Sequence, residues 1–344
     1  MKAHVSDEDA PPRGLVARLR ATRKGFKPSD VEEPIDFYWH RPLAGLLVQE
    51  LQAWPVTPNQ VTIASGVVSF LAGLLVGIAG WFGPGLAVLG GVLLLVSIVL
   101  DCADGQLARI RGISSPIGRV LDGFVDIVAP LSVMPGLVVY LLRLGYPHAY
   151  VWPIGCLAAA SLLWHAGAYD VQKNIYLHCS TPNFSLGGAT LLTVADIRRF
   201  EAEHRANGEL FYAFLMKVFA KWTLPQLGTL KPWLEEKRRP KNDVERELFR
   251  TMFKPRMAKM TWLGFGTHLF LLTLACWFAP VRGVSIWAAW FIMAIPMNAL
   301  CLWVVSTQKT AERHYERCLS ELRAAPSESA RSLAPEPLTT PASP

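Results

Sequence analysis

Six long apolar stretches constrain the fold of this chain more than any other feature of its sequence. The hydrocarbon core of a membrane is about 30 Å thick, so a helix needs roughly 20 apolar residues to cross it. The stretches are close to that length and run from Thr62 to Phe82, Pro84 to Leu100, Val120 to Leu142, Val151 to Tyr169, Met260 to Val281 and Gly283 to Gln308. The sequence therefore predicts an all-α integral membrane protein with six transmembrane helices.

The distribution of lysine and arginine predicts the orientation of these helices. Loops on the cytosolic side of a membrane are enriched in both residues. With the N-terminus in the cytosol, the cytosolic segments hold 32 of the 34 lysines and arginines, and only Arg143 and Arg282 lie on the opposite side. We therefore expect both termini in the cytosol. The formal net charge of +7 is then explained by cytosolic segments that face anionic lipid, and no nucleic-acid partner is needed to explain it.

The chain before the first stretch divides into two segments. Residues 1–30 contain no apolar core like that of a signal peptide, and we expect them to be a disordered, basic N-terminus. In residues 31–58, aromatic and leucine side chains recur at helical spacing between Phe37 and Trp54. This pattern predicts an amphipathic helix in the membrane interface, and the alternative is a soluble helix packed on a cytosolic domain.

Residues 170–259, between the fourth and fifth stretches, are long and basic. We interpret them as a cytosolic insertion attracted to anionic headgroups, with two amphipathic helices at Ala195–Trp222 and Asp243–Lys259. The stretch between these helices is expected to be broken by Pro225, Pro232 and Pro240. Residues 309–344 are predicted to be a cytosolic helix end followed by a disordered tail. The six cysteines lack metal-type spacing and are interpreted as small core residues.

Four aspartates bracket the turn between the second and third stretches. Asp101 and Asp104 are three residues apart, and Asp122 and Asp126 are four apart, so each pair shares one face of its helix. Carboxylates brought together there repel one another unless cations lie between them. Oxygen ligands without histidine or cysteine favour Mg²⁺, Mn²⁺ or Ca²⁺ over Zn²⁺. The pattern therefore indicates a site for divalent cations.

The residues between the two aspartate pairs suit a ligand that carries phosphate. Gly105, Ala108 and Gly118 present small surfaces, which let a bulky ligand approach the helix backbone. Arg109 offers a fork of donors for phosphate oxygens. Divalent cations beside such an arginine indicate phosphoryl-type transfer, in which one metal steadies the leaving group and another the attacking oxygen. The structural alternative is a turn that only caps helices and pairs its acids with Arg109 or Arg111.

The same residues carry a resemblance to a known family. The pattern D-x-x-D-G-x-x-A-R-x8-G-x-x-x-D-x-x-x-D, from Asp101 to Asp126, resembles the signature of the CDP-alcohol phosphotransferases, also called phosphatidyltransferases, at every fixed position. The element Pro58-Asn59-Gln60-Val61-Thr62 looks like the P-N-x-x-T motif of that family. The resemblance implies a catalytic unit at residues 59–169, and the apolar stretches place the last two spans, residues 260–308, after the insertion.

For the aspartates, the resemblance implies a two-metal centre. Asp101, Asp104 and Asp122 would bind one divalent cation, and Asp101, Asp122 and Asp126 would bind the other. Asp126 would also be the catalytic base that deprotonates the incoming hydroxyl. Mg²⁺ is the expected ion, with Mn²⁺ as the substitute.

The resemblance also implies that neighbouring residues hold a cytidine nucleotide. The candidates are Gly105, Ala108 and Arg109, together with Asn59, Thr62 and Ser115. Asn59 and Thr62 could equally belong to the start of the first helix, because Thr-Pro-Asn before an apolar run is a helix N-terminus signal. Ser115 precedes Pro116 and could simply begin the third helix.

The reaction implied by the resemblance is transfer of a substituted phosphate from a CDP-linked donor to a hydroxyl acceptor, with release of CMP, in phospholipid synthesis. CDP-diacylglycerol with a soluble alcohol is the favoured pair, because six-span bacterial members usually use it. A CDP-alcohol with diacylglycerol is the alternative. The resemblance further implies a bacterial inner membrane and a homodimer. A divalent-cation transporter is a distant alternative, since transport sites usually lie near the membrane midplane and these acids cluster at one interface.

A polar cluster ends the fourth stretch, from His165 to Asn174. It either shapes the pocket for the acceptor or is a solvated helix end. The cluster offers Lys173 but no arginine, which disfavours an acceptor with its own phosphate unless Arg111, Arg119 or the insertion contributes. His268, inside the fifth stretch, is expected to bond within the helix bundle and not to be catalytic.

Overall fold

The fold is that of a helical membrane protein. A computed structural model describes residue 22 and residues 28–113, 116–182, 194–234 and 237–324, and every regular element among them is helical. Six helical segments in these ranges are long and apolar enough to cross a membrane. The predicted all-α membrane fold is therefore confirmed.

The α-helices are numbered here in chain order. They are α1 (Arg41–Leu51), α2 (Pro58–Phe82), α3 (Gly85–Arg111), α4 (Pro116–Arg143), α5 (His148–Ser180), α6 (Val194–Ala206), α7 (Leu210–Leu234), α8 (Asp243–Met260), α9 (Phe265–Trp277), α10 (Val284–Ile292) and α11 (Asn298–Ala324).

Two of the six candidate spans are composite. The fifth, Asp243–Trp277, consists of α8 and α9 with a 3₁₀ turn at Thr261–Leu263 between them. The sixth, Val284–Ala324, joins α10 to α11 through a π-helical turn at Met293–Met297 that contains Pro296. A π turn at a proline fits the usual cause of a break in helical regularity, since proline removes a backbone donor.

The first span begins four residues before its predicted start at Thr62. Pro58 is the first residue of α2, and a capping box precedes it. The Gln60 backbone N–H donates to Thr57 Oγ1 at 3.3 Å, and the Thr57 N–H donates to Gln60 Oε1 at 2.9 Å. Two donors that a helix start leaves unpaired are thus satisfied, so the helix extends into the polar part of the sequence.

Helix α2 is the centre around which the site is built. It packs along its length against both α3 and α4, whereas α3 and α4 touch each other over only a short stretch. Small residues permit this contact, because a Cβ on Gly73 would clash with Ser132 of α4. Ser132 Oγ also donates to Ser69 O at 3.0 Å, and Ser97 Oγ of α3 donates to Ser65 O at 3.0 Å. Close backbones and interhelical hydrogen bonds are the usual means of packing helices in lipid.

The segment before α2 is only partly α-helical. A 3₁₀ turn at Ser29–Val31 and a π-helical turn at Asp36–His40 precede α1, which ends at Leu51. Ala44 and Val48 are buried against Cys102, Ala103 and Leu107 of α3. Large side chains of the same segment are exposed, namely Tyr38, Trp39, Leu43 and Trp54. An amphipathic helix in the membrane interface stays a prediction.

The helices of the insertion differ from the expected ones. The single helix predicted at Ala195–Trp222 is wrong, because α6 ends at Ala206 and α7 begins at Leu210. Gly208 lies between them with φ of +76°, a left-handed conformation that favours glycine and ends helices. Helix α7 then continues through Pro225 and Pro232, so neither proline breaks the chain as predicted. A proline bends a helix without necessarily ending it.

Candidate active site

Three of the four aspartates converge where α3 ends and α4 begins. One carboxylate oxygen from each of Asp101, Asp122 and Asp126 lies within 4.8 Å of the other two, and all three residues are half-exposed. These oxygens come from two helices that α2 holds side by side. Oxygen donors at this spacing, reachable from solvent, fit a divalent cation of the Mg²⁺ or Mn²⁺ type.

Asp104 is placed differently from the other three. It is 4% exposed, and its Oδ2 accepts a hydrogen bond from the Thr62 hydroxyl of α2. Thr62 is itself buried, and its Oγ1 also lies 3.1 Å from the Pro58 carbonyl oxygen, one helical turn earlier. Asp122 and Asp126 are close enough to repel the negative charge of Asp104. A cation among the four carboxylates would relieve that repulsion, so the residues present fit a metal centre.

The other signature residues lie on the surface of α3 beside the aspartates. A Cβ added to Gly105 would meet Arg109 Nη1 at 3.4 Å, so the guanidinium of Arg109 folds back over Gly105. Ala108 is half-exposed and Arg109 is exposed. A glycine and an arginine so arranged leave the backbone open to a ligand that the guanidinium could hold.

The other residues predicted to bind the nucleotide or the acceptor lie in different places. Thr62 touches the site through Asp104. Asn59 is half-exposed in the first turn of α2. Ser115 lies outside the described residues. The side chain of Arg119, named as a possible acceptor ligand, also lies outside them.

Comparison with known proteins places this site in a family. The sequence profile of the CDP-alcohol phosphatidyltransferases matches residues 55–196, which contain α2 to α5 and all four aspartates. Residues 55–196 form a CDP-alcohol phosphatidyltransferase domain. The resemblance expected from the signature is therefore confirmed.

Three curated relatives each match about a quarter of this chain. The chain is 33% identical over 85 residues to the bifunctional IPC transferase and DIPP synthase of Aquifex aeolicus, and 36% identical over 83 residues to the protein of the same name from Rubrobacter xylanophilus. It is 33% identical over 82 residues to the archaetidylinositol phosphate synthase of Pyrococcus horikoshii. The matches cover 25%, 24% and 24% of this chain, and 18%, 18% and 40% of the relatives.

Two residues at variable positions of the signature fasten α3 to the segment before α2, and these contacts were not predicted from the sequence. Gln106 is buried, and its Nε2 donates to the Arg41 carbonyl oxygen at 3.1 Å. Arg111 donates to the carbonyl oxygens at the end of α1, to Leu51 and Trp54 at 3.1 Å each and to Val56. Arginine at the last carbonyls of a helix is stabilising. Arg111 is therefore engaged with backbone, although the sequence suggested an acceptor phosphate for it.

The polar end of the fourth span faces the same site. Lys173 Nζ lies 2.6 Å from Asp170 Oδ1, and Asn174 Nδ2 donates to Asp170 Oδ2 at 3.3 Å. The Lys173 ammonium is also attracted by the negative charge of Asp126. The cation that the sequence offered for an acceptor phosphate is thus already paired with a carboxylate.

The histidines of α5 and α9 bond to each other within the bundle. His268 Nδ1 lies 2.7 Å from the Gly264 carbonyl oxygen, and its Nε2 lies 3.1 Å from His165 Nδ1. His165 Nε2 in turn lies 3.1 Å from Asn298 Oδ1. The contacts tie α5, α9 and α11 together, as expected for a histidine that bonds within the bundle.

Proposed function

We propose that the protein transfers a substituted phosphate from a CDP-linked donor to a hydroxyl acceptor and releases CMP in phospholipid synthesis. The observation that carries the proposal is the convergence of Asp101, Asp122 and Asp126 inside a phosphatidyltransferase domain. CDP-diacylglycerol is the proposed donor, and a CDP-alcohol with diacylglycerol is the second candidate. The names of the relatives point to inositol phosphate as one acceptor to test.

The proposed roles of the residues follow from their positions. Asp101, Asp104, Asp122 and Asp126 would hold two divalent cations, which when bound neutralise the donor's phosphates and acidify the attacking hydroxyl. Asp126 would accept the proton of that hydroxyl as its oxygen attacks phosphorus.

The donor would be held by the surface of α3. Arg109 would bind its phosphates over Gly105, and Ala108 would leave room for the nucleotide. Thr62 would act on the donor indirectly by holding Asp104, and Asn59 and Ser115 are proposed only as neighbours of the nucleotide.

Both termini and the site are proposed to lie in the cytosol, at a bacterial inner membrane. The support is the placement of 32 of the 34 lysines and arginines on one side. A homodimer is proposed on the family resemblance alone.

Release of CMP from CDP-diacylglycerol tests the reaction. Protein in nanodiscs would be given Mg²⁺ and a panel of acceptors that includes glycerol phosphate, inositol phosphate, serine and inositol. We expect release that depends on one acceptor and falls by about a hundredfold or more in Asp126→Asn, because the base contributes on that order. Asp243→Asn is the matched control, since Asp243 is a surface acid with its side chain 92% exposed.

The outcomes separate the donor classes. Release only from CDP-choline or CDP-ethanolamine with diacylglycerol would replace the proposed donor by the second candidate. Absence of release with every pair, from protein that still binds Mn²⁺, would contradict the transferase proposal.

A further inference from the structure

The N-terminal segment, residues 28–41, concentrates buried charge beside the phosphatidyltransferase domain. Glu32, Glu33, Asp36, His40 and Arg41 are all at most 9% exposed. Burying charged groups is costly unless each is paired. The sequence suggested only an interfacial helix here, so this arrangement calls for its own explanation.

Contacts with the helix bundle account for the burial of several groups in this segment. Glu33 Oε2 accepts from the Thr267 backbone N–H at 3.0 Å, in the first turn of α9. Asp30 Oδ2 accepts from the Tyr176 hydroxyl at 2.9 Å, and the Val31 carbonyl oxygen accepts from Tyr169 at 2.6 Å. These contacts anchor the segment to α5 and α9.

The pair of Glu32 and Arg41 is different, because Arg41 is bonded to α3, the helix that carries Arg109. Arg41 Nε lies 2.7 Å from Glu32 Oε1, with the two side chains 5% and 3% exposed. The Arg41 carbonyl oxygen accepts from Gln106, which lies between Asp104 and Arg109 in the signature. The backbone of Arg41 is thus held against α3 three residues before Arg109.

The charges of this pair act on Arg109 in opposite directions. Arg41 repels the Arg109 guanidinium, and Glu32 attracts it. Burial lowers the pKa of Arg41, but negative charges around it, Glu32 and Asp36 among them, more than offset this, and the pKa is raised. Arg41 therefore stays charged and balances Glu32 at every physiological pH.

We propose that Arg41 is a positioning residue that neutralises Glu32 and so keeps Arg109 over Gly105, where it can bind the donor's phosphates. Without Arg41, the Glu32 carboxylate loses this ion pair and attracts Arg109 more strongly toward the N-terminal segment. The inference rests on the proposed function, because it assumes that Arg109 binds phosphate.

The test is a double-mutant cycle read out as affinity for CDP in the presence of Mg²⁺. Full-length protein in detergent would be titrated with CDP by calorimetry. We expect Arg41→Gln to weaken binding by about tenfold, comparable to the loss of one charge-assisted hydrogen bond. Removing both partners, in Arg41→Gln with Glu32→Gln, is expected to restore affinity to within about threefold of the parent.

Two further measurements separate positioning from a general loss of structure. Affinity for Mn²⁺ without nucleotide should be unchanged in every variant, because the three converging aspartates are not altered. Arg238→Gln is the matched control, since it removes another paired arginine, one that lies 3.2 Å from Glu312 of α11. It should lower the melting temperature and leave the CDP affinity unchanged.

The proposal also decides the single variant Glu32→Gln, which keeps both arginines. The affinity of Glu32→Gln for CDP should equal or exceed that of the parent. Glu33→Gln serves as its control, because Glu33 is also a buried acid but contacts α9. Weaker binding by Glu32→Gln, a change of less than about threefold in Arg41→Gln, or no recovery in the double variant would overturn the inference. Failure of the parent itself to bind CDP would instead refute the proposed function.

Discussion

At the scale of single residues, Thr62 shows how the site depends on a side chain that bears no charge. Its hydroxyl donates to Asp104, which is buried and lies near two further carboxylates. A buried carboxylate that loses such a donor is destabilised in its charged form by about 1 to 3 kcal/mol. Thr62 would therefore act through Asp104 on the proposed metal centre, and the nucleotide role considered for it is not required.

Thr62→Val tests this role. The variant keeps the shape of the side chain and removes the donor, so we expect the Mg²⁺ concentration for half-maximal CMP release to rise by about tenfold. Thr62→Ser keeps a hydroxyl and should stay near the parent. Equal Mg²⁺ dependence for the parent and the valine variant would show that Asp104 needs no such donor.

At the scale of elements, the hairpin of α6 and α7 packs the insertion against α4, the helix that carries Asp122 and Asp126. Ala213, Leu215 and Met216 of α7 are buried, and Leu215 and Met216 pack with Val120, Leu121 and Val125 of α4. These residues of α4 adjoin Asp122 and Asp126 in sequence. The opposite side of α7 exposes Leu210, Phe211 and Phe214 by 69%, 57% and 53%. An apolar face beside membrane spans fits contact with lipid, in agreement with the proposed position of the insertion on the membrane.

Replacing Phe211 and Phe214 together by serine tests lipid contact by α7. Each phenylalanine contributes about 1.5 to 3 kcal/mol when its ring is buried in an apolar phase. We expect the double serine variant to lose CMP release several-fold with long-chain donor in vesicles, and to match the parent with a water-soluble short-chain donor. The double leucine variant stays apolar and should behave as the parent with both donors. Equal rates for serine and parent in vesicles would argue against lipid contact.

The elements also show what the sequence can and cannot reveal. The six spans and the two aspartate pairs were predictable, because apolar length and three- or four-residue spacing are local properties of a helix. The contacts of Arg41 with Glu32 and Gln106 were not, since Gln106 is 65 residues away and no pattern marks the pairing. The break at Gly208 could have been predicted, because the pair Asn207-Gly208 is typical of a helix end in the left-handed conformation. The amphipathic pattern continues across this pair, and it favoured a single helix instead.

At the scale of the whole molecule, orientation in the membrane is the property that most needs measurement. Arg143 lies at the end of α4, with its guanidinium 3.9 Å from the Trp81 ring centroid. An arginine held on a tryptophan suits the membrane interface opposite the aspartates. The short turn after Arg143 is therefore expected on the outer side, and the end of α11 on the inner side.

Fusions of alkaline phosphatase, which is active only outside the cytosol, check this orientation. A fusion after Gly145 should be active in a bacterial host, and a fusion after Ala324 should be inactive, because only the first would be translocated. Fluorescent-protein fusions at the same positions provide the complementary control. Reversed activities would place the aspartates on the outer side and remove the cytosolic setting of the proposed reaction.

Because α2 lies between α3 and α4 and carries none of the acids, the gap between the two aspartate pairs is set by residues without ligand atoms. A Cβ on Gly66 would lie 3.2 Å from Val125 Cγ1, next to Asp126 in sequence. Relieving that contact needs a shift of a few tenths of an ångström, similar to the difference between Mg²⁺–oxygen distances of about 2.1 Å and Ca²⁺–oxygen distances of about 2.4 Å. A single methyl group at Gly66, on a helix that carries none of the four aspartates, is therefore expected to change the discrimination between ions of different radius at the proposed metal centre.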